Sequence, residues 1–394
     1  MGMLVGCVTL VGCVTHEGAL TPVDDGEPRS MEGGYGRGEA DPVADALFDV
    51  ERVHEVRIEL PPDSAASLAV EPRVYAVGTI ELEGQRFTDV GVRLKGNNSF
   101  RPLDEKPSFK IDLDTFVDGQ KLGTVEKITL NNMIEDPSAA REILSYTIWN
   151  EAGMMAPRAA YARVYVNDQD YGLYLLLEPM DKGFLKRRFA DPDGDLWEGT
   201  NGADFTADGV AFFESKTGEG DRDHLAEVAE ALAQPTEDYY RLADRHFQMQ
   251  QVIDFWAWSM VTATLDGYPY TLNDYFVYAD PEADGRLMLS PWGMDESWNP
   301  SFLFQWGQGV ALHACAADPA CLTRVKSAVE TALQRYEAMG VPARLDALYA
   351  LSAGEIAADP KNPWPEATIT QSRIDLQQLT EHWPAQLREQ MAAP

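Results

Sequence analysis

Between Leu265 and Trp298 two apolar runs, YFVY and LMLSPW, are separated by a short acidic turn, and Asp266, Asn273 and Asp295 stand at successive ends of apolar segments. Apolar runs have to be buried, so the polar residues at their ends are held at the rim of a core. Mg²⁺ takes hard oxygen ligands, few of them from protein when ATP phosphates complete its shell. A phosphoryl-transfer site therefore needs only one carboxylate and one amide oxygen for the metal, beside one carboxylate for the acceptor hydroxyl. On that reading Asp266 accepts the proton of the attacking hydroxyl, while Asn273 and Asp295 hold the metal. The same residue types also serve plain turns at strand ends, and the spacing alone does not separate the two.

The chain before this region begins β-rich. Residues 54–60 alternate as a strand, Pro61-Pro62 turns, and 74–82 and 87–94 read as further strands about Glu83-Gly84-Gln85. Lys95-Gly96-Asn97-Asn98-Ser99 then breaks the pattern with small residues, through which the N–H groups around Asn97 and Ser99 can approach a phosphate, or which form an ordinary hairpin turn. Residues 106–113 read as a strand with Lys106, Ser108, Lys110 and Asp112 on one face and Phe109, Ile111 and Leu113 on the other. Residues 138–152 predict a helix, with Asp136 or Ser138 to cap it and Gly153 to end it. A hairpin follows about 167–170, and its second strand is apolar until Glu178, which is suited to a nucleotide or second metal, or to a salt bridge. The run DPDGD at 191–195 lacks the Gly and Glu of a calcium loop at its sixth and twelfth positions and reads as an acidic turn. Helices are expected at 222–233, 252–265, 325–339 and 373–391, and the rings of Phe255, Trp256 and Trp258 are expected in the core.

The blocks VGVRLKGNNSFRPLDEKPSFKIDLD, DPSAAREILSYTIWNEAGM, VYVNDQDYGLYLLLEPMDKGFL, DGYPYTLNDYFVY and SPWGMDES occur in that order. Together they resemble the spore-coat protein H (CotH) kinase family over residues 47–299. The resemblance implies an α+β, two-lobed, atypical protein-kinase-like fold, with a β-rich N-terminal lobe at 46–180 and a mainly helical C-terminal lobe at 181–394 that carries the catalytic and metal loops. It implies ATP with Mg²⁺ or Mn²⁺, and transfer of the γ-phosphoryl group to Ser or Thr of an envelope or surface protein. The family motif puts lysines at Lys106 and Lys110, with Arg93 and Arg101 near the glycine loop, and does not choose which lysine meets the phosphates. Arg141 fits the family pattern better than Glu142 as the helix residue near the nucleotide. One departure stands out. Where the family has PWDxD, this chain has Pro291-Trp292-Gly293-Met294-Asp295, and a missing acid at 293 points to a weakened kinase or a pseudokinase that binds a protein partner. An acidic metal- or glycan-binding envelope protein is a further alternative.

With 394 residues and 45% hydrophobic content the chain can bury one large or two moderate cores. Its 32 basic and 64 acidic residues give a formal charge of −32, which argues against nucleic acid or an anionic membrane surface as a partner. Such a charge also repels ATP, so a nucleotide pocket has to gather Lys and Arg locally. At the N-terminus, Leu4-Val5-Gly6-Cys7 and Leu10-Val11-Gly12-Cys13 both resemble the bacterial lipobox, implying an exported lipoprotein anchored through Cys7 or Cys13. The absence of Lys or Arg before either cysteine is what a truncated leader, residues 1–15, would leave. Residues 16–45 are rich in Gly, Pro, Asp and Glu and read as a flexible tether. Cys315 and Cys321, six residues apart around Asp318-Pro319, suit a small disulfide ring in an oxidising compartment.

Overall fold

The computed structural model describes residues 38, 40–217, 221–236, 238–299, 301 and 307–392, all within the unit Met31–Pro394. Cys7, Cys13 and the acidic stretch through residue 37 lie outside the described residues.

The protein is α+β, with a β-rich N-terminal region and a mainly helical C-terminal one. Seven strands close into a barrel in the order β1-β2-β3-β4-β5-β7-β6. They are β1 (Val53–Glu59), β2 (Ala76–Leu82), β3 (Gln85–Lys95), β4 (Ser108–Asp112), β5 (Lys127–Asn131), β6 (Ala159–Val166) and β7 (Gln169–Leu177). The alternation read at 54–60 and 74–82 works as expected: His54, Val56 and Ile58 of β1, and Ile80 and Leu82 of β2, point into the barrel. β6 and β7 are buried on both faces, because the C-terminal part packs on their outer side. Closure comes from the parallel pairing of β1 with β6, the one parallel ladder in the barrel. β5 escaped the sequence reading, since a five-residue strand offers too little pattern.

A second, four-stranded sheet has the order β11-β10-β8-β9, formed by β8 (Leu196–Gly199), β9 (Phe213–Ser215), β10 (Tyr275–Asp280) and β11 (Arg286–Pro291). β10 and β11 are the two apolar runs, paired antiparallel from Tyr275↔Pro291 to Asp280↔Arg286. Helices Arg141–Glu151, Met249–Val261, Pro319–Met339, Val341–Ala357 and Glu366–Ala392 account for most of the rest. Trp149, Trp256, Trp258 and Trp298 are fully buried among them, with Trp149 edge-on to Phe255 at 5.5 Å. Burying one such ring removes roughly 150–250 Å² from water, so these aromatics dominate the second core.

The helix expected to reach Leu265 stops at Val261. The Thr262 hydroxyl donates back to the Trp258 carbonyl at 2.7 Å, and Ala263 turns left-handed at φ 44°. The chain is thereby released into the loop that carries Asp266. Cys315 and Cys321 form a disulfide with Cα atoms 5.2 Å apart, joining helix Val310–Ala317 to helix Pro319–Met339, which Asp318 caps. No described helix is long and apolar enough to cross a membrane.

A segment at 355–364 straps the C-terminal region to the barrel. Arg163 of β6 donates to the carbonyls of Glu355 and Ala358, and Asp359 accepts from Lys106 Nζ at 2.5 Å and from the Leu173 N–H at 3.0 Å. Gly172 leaves the space: at φ +87°, a Cβ there would fall within 1.9 Å of the Asp359 carboxylate. Lys106 and Asp359 are both nearly fully buried, so removing one partner strands the other charge in a low dielectric. Asp359→Ala is therefore expected to lower the free energy of unfolding by about 3 kcal/mol or more, measured by urea unfolding against the parent.

Candidate active site

A cleft of about 520 Å³ opens between the barrel and the second sheet. The barrel contributes Arg93 and Lys95 from the end of β3, the loop Gly96 to Ser99, Lys110 from β4 and Asn131 from β5. The C-terminal part contributes Glu198, Lys216, Asp266, Asn273, Asp274, Gly293, Asp295 and Glu296. Arg93, Lys95 and Lys110 of the barrel thus face Asp266, Asp274 and Asp295 across one cleft.

Local chain chemistry fixes each part. Gly96 adopts φ +106°, and a Cβ there would lie 2.8 Å from Ser99 Oγ and 2.9 Å from the Phe100 nitrogen, so only glycine lets the loop fold this tightly. Asn132 anchors that loop, donating to the carbonyls of Ser99 and Lys106 at 2.9 and 2.8 Å. Helix Arg141–Glu151 starts under Asp136, whose carboxylate accepts the N–H groups of Ala140 and Arg141 at 2.8 and 2.9 Å. Arg141 does not reach for a nucleotide. Its guanidinium donates to the carbonyls of Ser297 and Trp298, and Ser145 Oγ meets Ser297 Oγ at 2.6 Å. These bonds clamp the loop bearing Asp295 to the helix bearing Glu142.

Lys95 Nζ donates to Asn131 Oδ1 at 2.6 Å, and Asn131 Nδ2 donates to the Glu142 carboxylate at 3.1 Å. Asparagine thus relays a strand lysine to a helix glutamate. Burial pushes the Lys95 ammonium down, while Glu142, Asp295 and Asp274 push it back up. Burial and then Asp295 raise Glu142 to about 8, against the pull of Lys95. Burial raises Asp274 to about 8, with Asp266, Asp295 and Glu198 adding repulsion. Asp295 rises to about 7 through burial and Glu135. Lys110 falls to about 8 through burial and the neighbouring Lys95. Each of these carboxylates is short of positive charge.

That donor set fits a divalent cation, because hard carboxylate oxygens crowd together with too little cationic compensation. Among the described residues no three His, Cys, Asp or Glu side chains form a group that could hold a metal ion by themselves. Mg²⁺ needs none when phosphate oxygens share its shell, since one or two carboxylates then suffice. The cleft also fits an anion on its barrel side: Arg93 Nε is buried with no hydrogen-bond partner among the described residues, and its guanidinium lies over the Tyr75 ring.

Of the residues singled out by sequence, Arg93, Asn97, Ser99, Lys110, Asp266, Asn273 and Asp295 all line this cleft. Arg101 instead donates to the carbonyls of Asn98 and Phe100. Asn273 turns its amide to Asp266 at 3.3 Å; a carboxylate only accepts, so Nδ2 faces it, and Thr271 Oγ1 donates to the same carboxylate at 2.5 Å. Lys106 lies outside the cleft, paired with Asp359, because it precedes β4 and is drawn to the strap. Glu178 lies outside as well, gripped by Arg158 and Arg187 at 2.7 Å each. Sequence reasoning passed over Lys95 and Asp274 and discounted Glu142. The signal for Lys95 was its i+2 spacing from Arg93, which puts both on one strand face.

A β-rich lobe that holds lysines over a loop of acids, with a helix glutamate behind the lysine, is the arrangement of kinase-like proteins. The chain belongs to the CotH kinase family, whose model, described as CotH kinase protein, matches residues 92–362. It is similar to the inner spore coat protein H of Bacillus subtilis, 24% identical over 226 residues that cover 54% of this chain and 60% of that protein. It is also similar to the invasin CotH3 of Rhizopus delemar, 25% identical over 198 residues, or 46% of this chain and 32% of that one. The chain therefore spans less than two thirds of the length of either relative.

Glu178 yields a test of its assigned structural role. Burial alone would raise its pKa, but Arg187 and Arg158 outweigh it and hold the carboxyl at about 2, against 4.5 unperturbed. A depressed carboxylate stabilises above its unfolded pKa, and that stability is lost as pH falls through the folded value. Glu178→Gln should cost about 3 kcal/mol at pH 7, and the gap to the parent should narrow as pH drops from 4.5 toward 2, read by urea unfolding at each pH.

Proposed function

We propose that the protein is a phosphotransferase that binds ATP with Mg²⁺ or Mn²⁺ in this cleft and transfers the γ-phosphoryl group to a Ser or Thr hydroxyl of a protein. The observation that carries this reading is the Lys95–Asn131–Glu142 relay facing Asp266 and Asp295 across one cleft. Lys95, with Arg93 and Lys110, neutralises phosphate oxygens. Asp266, held by Thr271 and Asn273, orients the acceptor hydroxyl and takes its proton. Asp295 is a carboxylate for the cation, which supplies charge neutralisation at the phosphates. The two N–H clamps of Asp136 and the Arg141 bridge keep these groups at fixed separation, which is most of what phosphoryl transfer asks of a protein.

The names of the relatives, an inner spore coat protein and an invasin, support a role at a cell or coat surface. The cysteine pair Cys315–Cys321 fits an oxidising compartment, and the lipobox-like strings at Cys7 and Cys13 support export with a lipid anchor as the sole membrane contact. The acceptor is then an envelope or surface protein. A second reading, nucleotide binding without transfer, is favoured by Gly293 in the PWGMD motif.

The deciding experiment is incorporation of label from γ-labelled ATP into a protein acceptor or the chain itself, with Mg²⁺ or Mn²⁺. Asp266→Ala and Lys95→Ala should each lower the rate by about 10²-fold or more. Lys106→Ala should leave the labelling rate of the folded fraction within a fewfold of the parent. Nucleotide binding with no labelling would give the second reading.

A further inference from the structure

We infer that Asp274 supplies the second carboxylate of the cation site, in the space that a side chain at residue 293 would otherwise fill. The inference rests on the proposed reading of the cleft and deepens it.

Gly293 has φ +56°, and a Cβ built on it would fall 2.5 Å from Asp274 Oδ2 and 2.8 Å from its Cγ. Those distances are shorter than any real carbon contact. The carboxylate of Asp274 therefore stands in the side-chain volume of residue 293. Its position is set by backbone, since the Trp292 N–H donates to the Asp274 carbonyl at 3.1 Å and the next residue, Tyr275, pairs with Pro291. Asp274 itself takes φ 48°, a left-handed conformation that Asp tolerates better than most residues. That twist aims its side chain across to the neighbouring strand end.

The chemistry agrees with the geometry. The neighbouring Asn273 is engaged with Asp266, whereas the Asp274 carboxylate has no hydrogen bond or ion pair among the described residues. It lines the same cleft as Asp295. The motif that resembles PWDxD has lost its first acid at Gly293 and would be one charge short. The acid at 274 restores the count from the adjoining strand, and glycine at 293 is what allows it to fit. Two carboxylates from two strand ends are enough for a phosphate-sharing Mg²⁺ or Mn²⁺.

The test is Mn²⁺ binding to the full chain with a non-hydrolysable ATP analogue, followed by electron paramagnetic resonance, with analogue binding without metal measured in parallel. Asp274→Asn should weaken Mn²⁺ at least tenfold while analogue affinity without metal changes less than twofold. Gly293→Ala alters no charge and should also weaken Mn²⁺, because its methyl group displaces the carboxylate. The double variant Asp274→Ala with Gly293→Asp, which empties the shared volume as it moves the acid across, should recover most of the loss, and this decides the matter if Asp274→Asn alone folds poorly. Wild-type Mn²⁺ affinity in both folded single variants would overturn the role of Asp274 and leave the nucleotide-and-metal reading standing. A parent that binds neither Mn²⁺ nor the analogue would overturn both.

Discussion

Burial of carboxylates close to one another, with repulsion added, is the constraint on which the cleft depends. Asp274, Asp295 and Glu142 are all held in forms that resist ionisation, with Lys95 as the cation that pulls each of them back. Water would ordinarily relieve such crowding. Here the chain instead clamps it in place, through Asp136 at the start of the helix, Arg141 on the carbonyls of Ser297 and Trp298, and Ser145 on Ser297. For the proposed cation, preorganisation and affinity would come from this same arrangement.

The triphosphate proposed for the cleft has to be accommodated by a protein of formal charge −32. The barrel concentrates Arg73, Arg93, Lys95 and Lys110 at one mouth of the cleft. Arg93, Lys95 and Lys110 come from neighbouring strands, with Arg93 paired to Lys110 across the β3–β4 ladder, and Arg73 comes from the turn ahead of β2. Acids dominate the chain as a whole, and the local field at this mouth is set by a few fixed cations near low-dielectric walls.

Much of the scaffold was legible along the chain. The alternation in β1 to β3, the capped helix after Asp136, the β6–β7 hairpin, the aromatic helix and the Cys315–Cys321 pair all follow from local pattern, because period, cap and turn chemistry act within a few residues. The short strands β5, β8 and β9 were not legible, since three to five residues carry no usable periodicity. Nor was the choice among lysines. Lys106 and Lys110 read as one strand face along the chain, yet Asp359, more than two hundred residues later, takes Lys106 and leaves Lys110 to the cleft. Glu178 likewise ends a buried strand as expected, but Arg158 and Arg187 arrive from elsewhere to neutralise it.

By itself the sequence determined the order of elements, the family, and the positions at which acids cap apolar strands, because hydrophobic periodicity and turn chemistry are local. Tertiary structure alone decided which of those acids meet. Pairing β10 with β11 brings Asp274 against Gly293 across nineteen residues of chain, and docking the helix Arg141–Glu151 brings Glu142 toward Lys95 through Asn131. Electrostatic coupling depends on distance through space and on exclusion of water, and neither quantity is written in the spacing of residues along a chain.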